Sequence, residues 1–294
     1  PPRSTLFPYT TLFRSLTIFI LIGFEFFGPM PTFEELENPK SNIATEIISE
    51  DNVVLGNFFV QNRTFVSYDE ISPNVINALI ATEDVRYHSH SGIDFRGLGR
   101  VMFKTVLIGK RNAGGGSTIT QQLAKNLFPR DTASKSSALV RKSKLVITKF
   151  KEWITSVKLE RNYTKNEIIA MYLNVVEFGS NSFGLKSAAK TFFNTTPDSL
   201  KVEEAALLVG VVNAPTRYSP LRNPERSLQR RNIVLSQMRK YGYLTQLQYD
   251  SISKIPIKLN FKEQDHNTGI ATYFREMIRL FMTAKQPERR HYYS

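Results

Sequence analysis

Beyond residue 70, apolar residues recur at three- and four-residue spacing, which is the pattern of amphipathic helices. Ser72 and Pro73 begin the first helix, with serine as the cap and proline at the first helical position, and Val75, Ala78 and Leu79 then share one face. The same pattern predicts further helices at residues 118–128, 139–161, 165–173, 202–212 and 224–241. We therefore expect a mainly α-helical domain.

The chain before residue 70 has a different pattern. Residues 1–15 resemble the in-frame translation of a sequencing adapter, and we exclude them from fold reasoning. Residues 16–27 are almost wholly apolar but shorter than the roughly 20 residues that span a bilayer. A truncated transmembrane anchor, a signal-peptide core and a buried helix all fit this segment. Because no small-residue cleavage site follows, we favour a truncated anchor over residues 16–30.

Residues 31–69 are predicted to form a linker that contains a short β-hairpin. β-Branched and aromatic residues cluster between positions 44 and 68, and the turn residues Glu50, Asp51 and Asn52 divide the cluster. This segment carries no obvious chemistry.

Composition narrows the classes of partner and of chemistry. A chain of 294 residues that is 41% hydrophobic can form a real core, and its formal charge of +13 favours nucleic acid, a membrane surface or a phosphorylated substrate. The absence of cysteine excludes disulfides, thiolate nucleophiles and Cys-ligated zinc. None of the four histidines forms a His-x-x-x-His pair, which argues against a dedicated transition-metal site.

Three glycines at 114–116 precede a helix for which Thr118 and Gln121 predict a capping box. One face of this helix is apolar and another is polar. The apolar stripe consists of Ile119, Leu123 and Leu127, and the polar stripe of Thr118, Gln122 and Lys125. Free amides at a helix start and a nearby lysine favour an anion site, although an ordinary capped surface helix explains the pattern equally well.

A cluster of acid, base and imidazole lies where the Ser72 helix is expected to end. It contains Glu83, Asp84, Arg86 and His90. A catalytic cleft is one interpretation. The alternative is a helical i, i+3 ion pair between Glu83 and Arg86, with His90 as a core or capping histidine.

The long basic helix contains a second candidate carboxylate, Glu152. The apolar residues Val146, Phe150, Trp153 and Val157 predict its buried stripe, which leaves Glu152 off that stripe and next to Lys149 at i, i+3. A solvated salt bridge is the alternative to a functional role.

In order and spacing, these stretches resemble the family 51 glycosyltransferases, which include the peptidoglycan polymerase domain of class A penicillin-binding proteins and the monofunctional transglycosylases. Glu83, Asp84 and His90 match the first motif, Glu-Asp-x-x-Phe-x-x-His-x-Gly, with Tyr87 in place of Phe. The second motif, Gly-Gly-Ser-Thr-Ile-Thr-Gln-Gln, occurs unchanged at residues 115–122. The fourth and fifth motifs are similar to residues 172–179 and 205–210, so the resemblance covers about residues 70–240.

The third motif, Arg-Lys-x-x-Glu, departs from the family pattern. The nearby pair Arg141-Lys142 is followed by Leu145 where the glutamate should stand. Glu152 instead has the family's spacing to a following Leu-Glu pair, so we identify residues 148–152 as the third motif, with Thr148 in place of the arginine.

The resemblance implies that lipid II is polymerised into glycan strands, with inversion at the anomeric carbon and release of undecaprenyl diphosphate. It implies Glu83 as the catalytic base and Glu152 as a second catalytic carboxylate that organises a divalent cation, Mg²⁺ or Mn²⁺; no organic cofactor is expected. Arg86, Lys125 and Lys149 are expected to stabilise the leaving diphosphate. The residues implied to bind substrate are Asp84, Arg86, His90, Ser117, Thr118, Gln121, Gln122, Lys125 and Lys149.

The resemblance also implies a lysozyme-like fold with a smaller jaw subdomain over residues 70–241, and residues 242–294 are interpreted as a linker towards a further domain. The expected partners are lipid II, the lipid-linked glycan strand, the bacterial inner membrane and other cell-wall synthesis proteins, but not nucleic acid. The catalytic domain is expected on the extracytoplasmic side of that membrane. The alternatives are a lysozyme-like glycoside hydrolase acting on peptidoglycan, and a module that binds membranes or nucleic acid through charge alone.

Overall fold

The structure is a computed structural model that describes residues 17, 45–48, 50–51, 54–58, 62–63, 65–100, 116–127, 138–262, 273–274 and 277. It divides into two compact units. The first contains Pro1–Lys40 and His88–Ile168, and the second contains Ser41–Tyr87 and Ile169–Ser294. Helices predominate in the described parts of both units, so the expected mainly α-helical architecture is confirmed.

The predicted N-terminal anchor at residues 16–30 and the adapter-like residues 1–15 lie outside the described residues, apart from Thr17. Among the helices that the structure describes, none combines the length and the apolar character that crossing a bilayer requires.

Most helices begin and end within two residues of the predicted positions. In chain order they are α1 (Pro73–Glu83), α2 (Ile119–Leu127), α3 (Ala138–Asn162), α4 (Lys165–Val175), α5 (Leu185–Phe193), α6 (Val202–Val212), α7 (Pro224–Lys240) and α8 (Gln246–Ile252). The sequence did not predict α5 or α8. α5 ends with Asn194 in the left-handed conformation, and α8 begins with a capping box at Thr245. Each of these helices therefore has a local sequence signal at one of its ends.

Two short strand pairs belong to the second unit. β1 (Thr45–Ile48) pairs antiparallel with β2 (Val54–Phe58), within the segment where the sequence predicts a hairpin. β3 (Asn62–Arg63) pairs in parallel with β4 (Ser182–Phe183). Because β3 and β4 are two residues each and far apart in the chain, no local pattern predicts their pairing.

The core of the second unit is built on α1, α6 and α7, which pack against one another. Val75, Ala78 and Leu79 of α1 are buried, as their spacing predicts. The α1 start is also as predicted, since the Ser72 hydroxyl oxygen accepts from Asn74 N at 3.3 Å, and Pro73 is the first helical residue. The end of α1, where Glu83 lies, is therefore close to a buried, largely apolar three-helix core.

Ordered structure in the second unit continues past residue 241, where the sequence places the end of the domain. α8 packs on α7, and the Arg231 guanidinium donates to Ser253 O at 3.1 Å. Further along, Asn260 N donates to Phe192 O at 3.0 Å and Lys262 N to Thr191 O at 2.8 Å. Residues up to 262 thus contact the helical core, and the predicted role of residues 242–294 as a linker to a further domain stays a prediction.

The side chain of Asn174 joins α4 to the segment before α1. It accepts from Val66 N at 2.9 Å and donates to Val66 O at 2.8 Å, and all of these groups are buried. We expect Asn174→Ala to lower the free energy of unfolding by about 2–4 kcal/mol, because it leaves a buried N–H and a buried C=O without partners. Urea unfolding measures this loss. Asn166→Ala, an exposed position on the same helix, is the matched control; an equal effect of the two changes would contradict the structural role.

Candidate active site

The residues that the sequence predicts as functional belong to both units. Glu83, Asp84 and Arg86 lie in the second unit. The others lie in the first unit: His90, Ser117, Thr118, Gln121, Gln122, Lys125, Lys149 and Glu152.

In the second unit, Glu83 is the last residue of α1, and its side chain is only 14% exposed. Its Oε1 lies 3.7 Å from a guanidinium nitrogen of Arg230 on α7. Asp84 follows as the C-cap, is buried, and donates its backbone N–H to Ile80 O at 3.2 Å. The sequence suggests only Arg86, at i+3, as an ionic partner of Glu83. The structure also brings Arg230, from the distant helix α7, close to this carboxylate.

Arg230 itself is held by residues of the second unit. Its guanidinium carbon lies 5.6 Å from the centroid of the Tyr218 ring, within the range of a cation–π contact. A Cβ built on Gly210 would come within 3.2 Å of Arg230 Cγ, so the absence of a side chain at Gly210 makes room for the arginine stem. The sequence did not single out Arg230, since no periodicity relates a residue on α7 to the end of α1.

Tyr172 on α4 is fully buried. Burial, and secondarily the negative charge of Glu83, raise the pKa of the Tyr172 hydroxyl far above its ordinary value. The phenol is therefore neutral at physiological pH and close enough to Glu83 to sense its charge.

In the first unit, Lys149 connects the glycine-rich stretch to the second predicted carboxylate. Its Nζ donates to Ser117 Oγ and to Glu152 Oε2, both at 2.9 Å. The predicted i, i+3 contact of Lys149 with Glu152 is confirmed.

The predicted buried stripe of the long helix, now α3, was wrong. Val146 is 49% exposed, whereas Glu152 is only 6% exposed. The face that is buried consists of Glu152, Thr155, Ser156 and Leu159, at the regular helical spacing of three and four residues. Three of these four residues are polar, so the positions of apolar residues alone select the wrong face. Ser156 satisfies its hydroxyl within the helix by donating to Glu152 O at 2.6 Å.

Two side chains at the start of α2 donate hydrogen bonds to the carbonyl oxygen of Gly92. Thr118 Oγ1 donates to this oxygen at 2.7 Å and Gln121 Nε2 donates to it at 3.2 Å. Of the predicted capping box, the Thr118 half is confirmed, since Gln121 N donates to Thr118 Oγ1 at 3.2 Å; the Gln121 side chain is directed to Gly92 instead.

The three residues of the polar stripe predicted for α2 differ in their exposure to solvent. Thr118 is buried, Gln122 is half-buried and Lys125 is exposed, because the hydroxyl of Thr118 faces Gly92 O inside the unit. Ile119 and Leu123, of the predicted apolar stripe, are buried as expected. The substrate-binding roles of Thr118, Gln121, Gln122 and Lys125 stay predictions.

A further polar cluster that the sequence did not predict holds the segment around His90. Lys165 Nζ donates to His90 O at 2.7 Å and contacts the buried carboxylate of Glu160 at 2.7 Å. Thr120 of α2 also donates to Glu160. The loop that carries His90 and Gly92 is thus tied to α2, α3 and the start of α4 within the first unit.

The described residues do not by themselves form a metal site. Nowhere in the part of the chain that the structure describes do three side chains of His, Asp or Glu come together in a ligating arrangement. Glu152, the predicted metal ligand, has its Oε2 in an ion pair with Lys149. The expected divalent cation therefore stays a prediction.

The Lys149–Glu152 pair is expected to couple the two residues energetically. In a double-mutant cycle of Lys149→Met and Glu152→Gln, we expect a coupling of about 1 kcal/mol in the free energy of unfolding, since one partner is buried and the other is partly exposed to solvent. Chemical denaturation of the two single variants and the double variant measures it. Strictly additive losses would show that the contact contributes nothing.

Comparison with known proteins places the chain next to one group. The transglycosylase family profile matches residues 51–239. Penicillin-binding protein 1A of Aquifex aeolicus is 34% identical over 277 residues, which are 94% of this chain and 36% of that protein. Penicillin-binding protein 1A/1B of Bacillus subtilis is 38% identical over 256 residues, which are 84% of this chain and 27% of that protein.

The crystal structure of penicillin-binding protein 1A from Haemophilus influenzae matches with a TM-score of 0.44 at 21% identity, over 85% of this chain and 25% of that one. In eight curated relatives, including the Aquifex aeolicus and Bacillus subtilis proteins named above, the chain spans between 27% and 36% of the relative's length.

Proposed function

The chain belongs to the transglycosylase family, and on that premise we propose that it is a peptidoglycan glycosyltransferase that polymerises lipid II into glycan strands. The family resemblance drawn from the sequence motifs is thereby confirmed. The observation that carries the proposed activity is the family match over residues 51–239, which includes both Glu83 and the unchanged second motif at residues 115–122.

In the proposed reaction, the 4-hydroxyl of the sugar of an incoming lipid II attacks the anomeric carbon of the glycan strand, which is held as a lipid diphosphate. The new C–O bond forms as the bond to the diphosphate breaks, and its electron pair leaves with undecaprenyl diphosphate. Glu83 accepts the hydroxyl proton as general base. Its place at the end of a helix that packs in the core, with a largely buried carboxylate, supports this role.

The leaving diphosphate needs positive charge, and we assign this task to Arg86, Lys125 and Lys149. Lys125 is exposed on α2 and is therefore accessible to a large anion. Lys149 is held at Ser117, at the start of the same helix, where helix amides favour negative charge. Because Lys149 already neutralises Glu152, we assign Glu152 the role of fixing this ammonium in place.

Incubation of the protein with labelled lipid II tests the proposal. We expect glycan strands that lengthen with time, together with stoichiometric undecaprenyl diphosphate. The alternative, a glycoside hydrolase, needs an acid for a sugar leaving group and predicts that uncrosslinked glycan is shortened instead. Shortened glycan without any polymer from lipid II would overturn the proposed function.

The relatives' names as penicillin-binding proteins support a site of action at the bacterial cell envelope. We propose more specifically the inner membrane, with a lysozyme-like catalytic domain and its jaw subdomain on the extracytoplasmic side, alongside other cell-wall synthesis proteins. Flotation with liposomes, with and without residues 16–30, measures the membrane contribution of that segment. Binding that is lost uniformly on adding salt would favour attraction by charge alone.

A further inference from the structure

We infer that Arg230 is a positioning residue for the catalytic base: it orients the Glu83 carboxylate for proton transfer without itself touching substrate. This inference rests on the proposed function, in which Glu83 is the base. It concerns residues of the second unit only.

The first observation is the depth of the ion pair. Glu83 Oε1 and the Arg230 guanidinium nitrogen are 3.7 Å apart, and the side chains are only 14% and 16% exposed. Water therefore screens the attraction much less than it would at the surface. A carboxylate at the end of a helix has rotational freedom about its side-chain bonds, and a fixed neighbouring cation restricts that freedom to the orientation facing it.

The second observation is that the guanidinium also contacts an aromatic ring and that a glycine leaves room for the Arg230 stem. The Tyr218 ring lies beneath it at 5.6 Å, and the bare backbone at Gly210 admits the Arg230 stem. The Nε–H of Arg230 is buried and has no hydrogen-bond partner among the described residues. A hydrogen bond of the Nε–H therefore does not explain why an arginine occupies this position, whereas the contact of its terminal nitrogen with Glu83 does.

The neighbouring arginine provides a contrast. Arg231 is fully buried, and its guanidinium donates to Asn232 Oδ1 at 3.0 Å and to Ser253 O at 3.1 Å. Arg231 thus joins α7 to the end of α8. Two adjacent arginines on one helix have separate tasks: Arg231 holds the fold together, and Arg230 faces the carboxylate of the proposed base.

Steady-state kinetics with lipid II test the inference. We expect Arg230→Met to lower kcat by about 10- to 100-fold, because a misplaced catalytic group costs rate, with KM within about twofold of wild type. Arg230→Lys, which keeps the charge, should recover part of the loss. The matched control is Arg239→Met on the same helix, since Arg239 also lies over a ring, that of Tyr249 at 4.6 Å, but belongs to no proposed site.

A double variant separates positioning from direct substrate binding. If Arg230 acts through Glu83, then Glu83→Gln combined with Arg230→Met should be no slower than Glu83→Gln alone. Multiplied losses, or a raised KM with kcat unchanged, would overturn the inference in favour of a substrate contact.

Folding is checked by the unfolding midpoint of each variant. If Arg230→Met does not fold, Arg230→Gln replaces it, because glutamine keeps part of the stem beside Gly210 and a polar end group but has no positive charge to attract Glu83. A folded Arg230→Gln protein with wild-type kcat would overturn the inference while leaving the proposed function intact. A wild-type protein that does not polymerise lipid II would overturn both.

Discussion

Glu83→Gln is expected to lower kcat for lipid II polymerisation by about 10²- to 10⁴-fold, the usual contribution of a general base. Glutamine has nearly the same shape as glutamate but cannot take up the proton of the attacking hydroxyl. The carboxylate lies at the end of α1, within 3.7 Å of Arg230, so an amide fits the same space. Initial rates of polymer formation at saturating lipid II measure the effect.

Two controls accompany Glu83→Gln. Glu225→Gln removes an exposed carboxylate from the first turn of α7 and should leave kcat unchanged. Glu83→Gln also removes the charge that faces the largely buried Arg230 guanidinium, so some loss of stability is expected; a cooperative unfolding transition above the assay temperature shows that the variant is folded and separates lost chemistry from lost structure. Near-wild-type polymerisation by Glu83→Gln would remove the base assignment, while family membership would stand.

Gly92→Ala is expected to lower the free energy of unfolding by about 2–5 kcal/mol, with loss of activity, because it combines backbone strain with steric overlap. Gly92 has φ +85, in the left-handed region, and a Cβ there would lie 2.8 Å from Ser156 O. The carbonyl of Gly92 is also the acceptor for Thr118 and Gln121, so its displacement loosens the start of α2. Thermal and urea unfolding measure the loss.

Substitutions at two other glycines separate the effect of backbone strain from that of steric overlap. Gly242 has φ +83 but no atom within 4 Å of the position that a Cβ would occupy, so Gly242→Ala should cost only the backbone strain, about 1–2 kcal/mol. Gly99 lies in a helical segment with open space around it, so Gly99→Ala should be neutral or stabilising by up to about 1 kcal/mol. If all three substitutions had the same effect, the close packing of Gly92 on Ser156 would not matter.

The helices could be predicted from the sequence because their signals are local. Ser72 and Pro73 mark the start of α1, and α6 has the predicted bounds, Val202–Val212. Helix starts and apolar spacing depend on residues within a few turns of each other. α8 also has such a signal in its Thr245 capping box, so its start is encoded locally in the sequence as well.

The buried face of α3 could not be predicted from apolar spacing. Thr155 and Ser156 are buried, although neither is apolar. Ser156 packs closely against Gly92, and its hydroxyl donates within its own helix. Volume and hydrogen-bond satisfaction, rather than hydrophobicity, selected this face. Glu152 is buried as a consequence, with Lys149 as its partner.

The sequence was sufficient to identify the family, since an unbroken eight-residue motif and the order of the motifs need no coordinates. The role of Glu83 as catalytic base stays a prediction from that resemblance. The contact of Glu83 with Arg230, however, depended on the packing of α7 against α1. The space at Gly210 that admits the arginine depended on the packing of α7 against α6. Motifs record residues that are neighbours in the chain, whereas the charge that faces a carboxylate is set by which distant helices pack beside it.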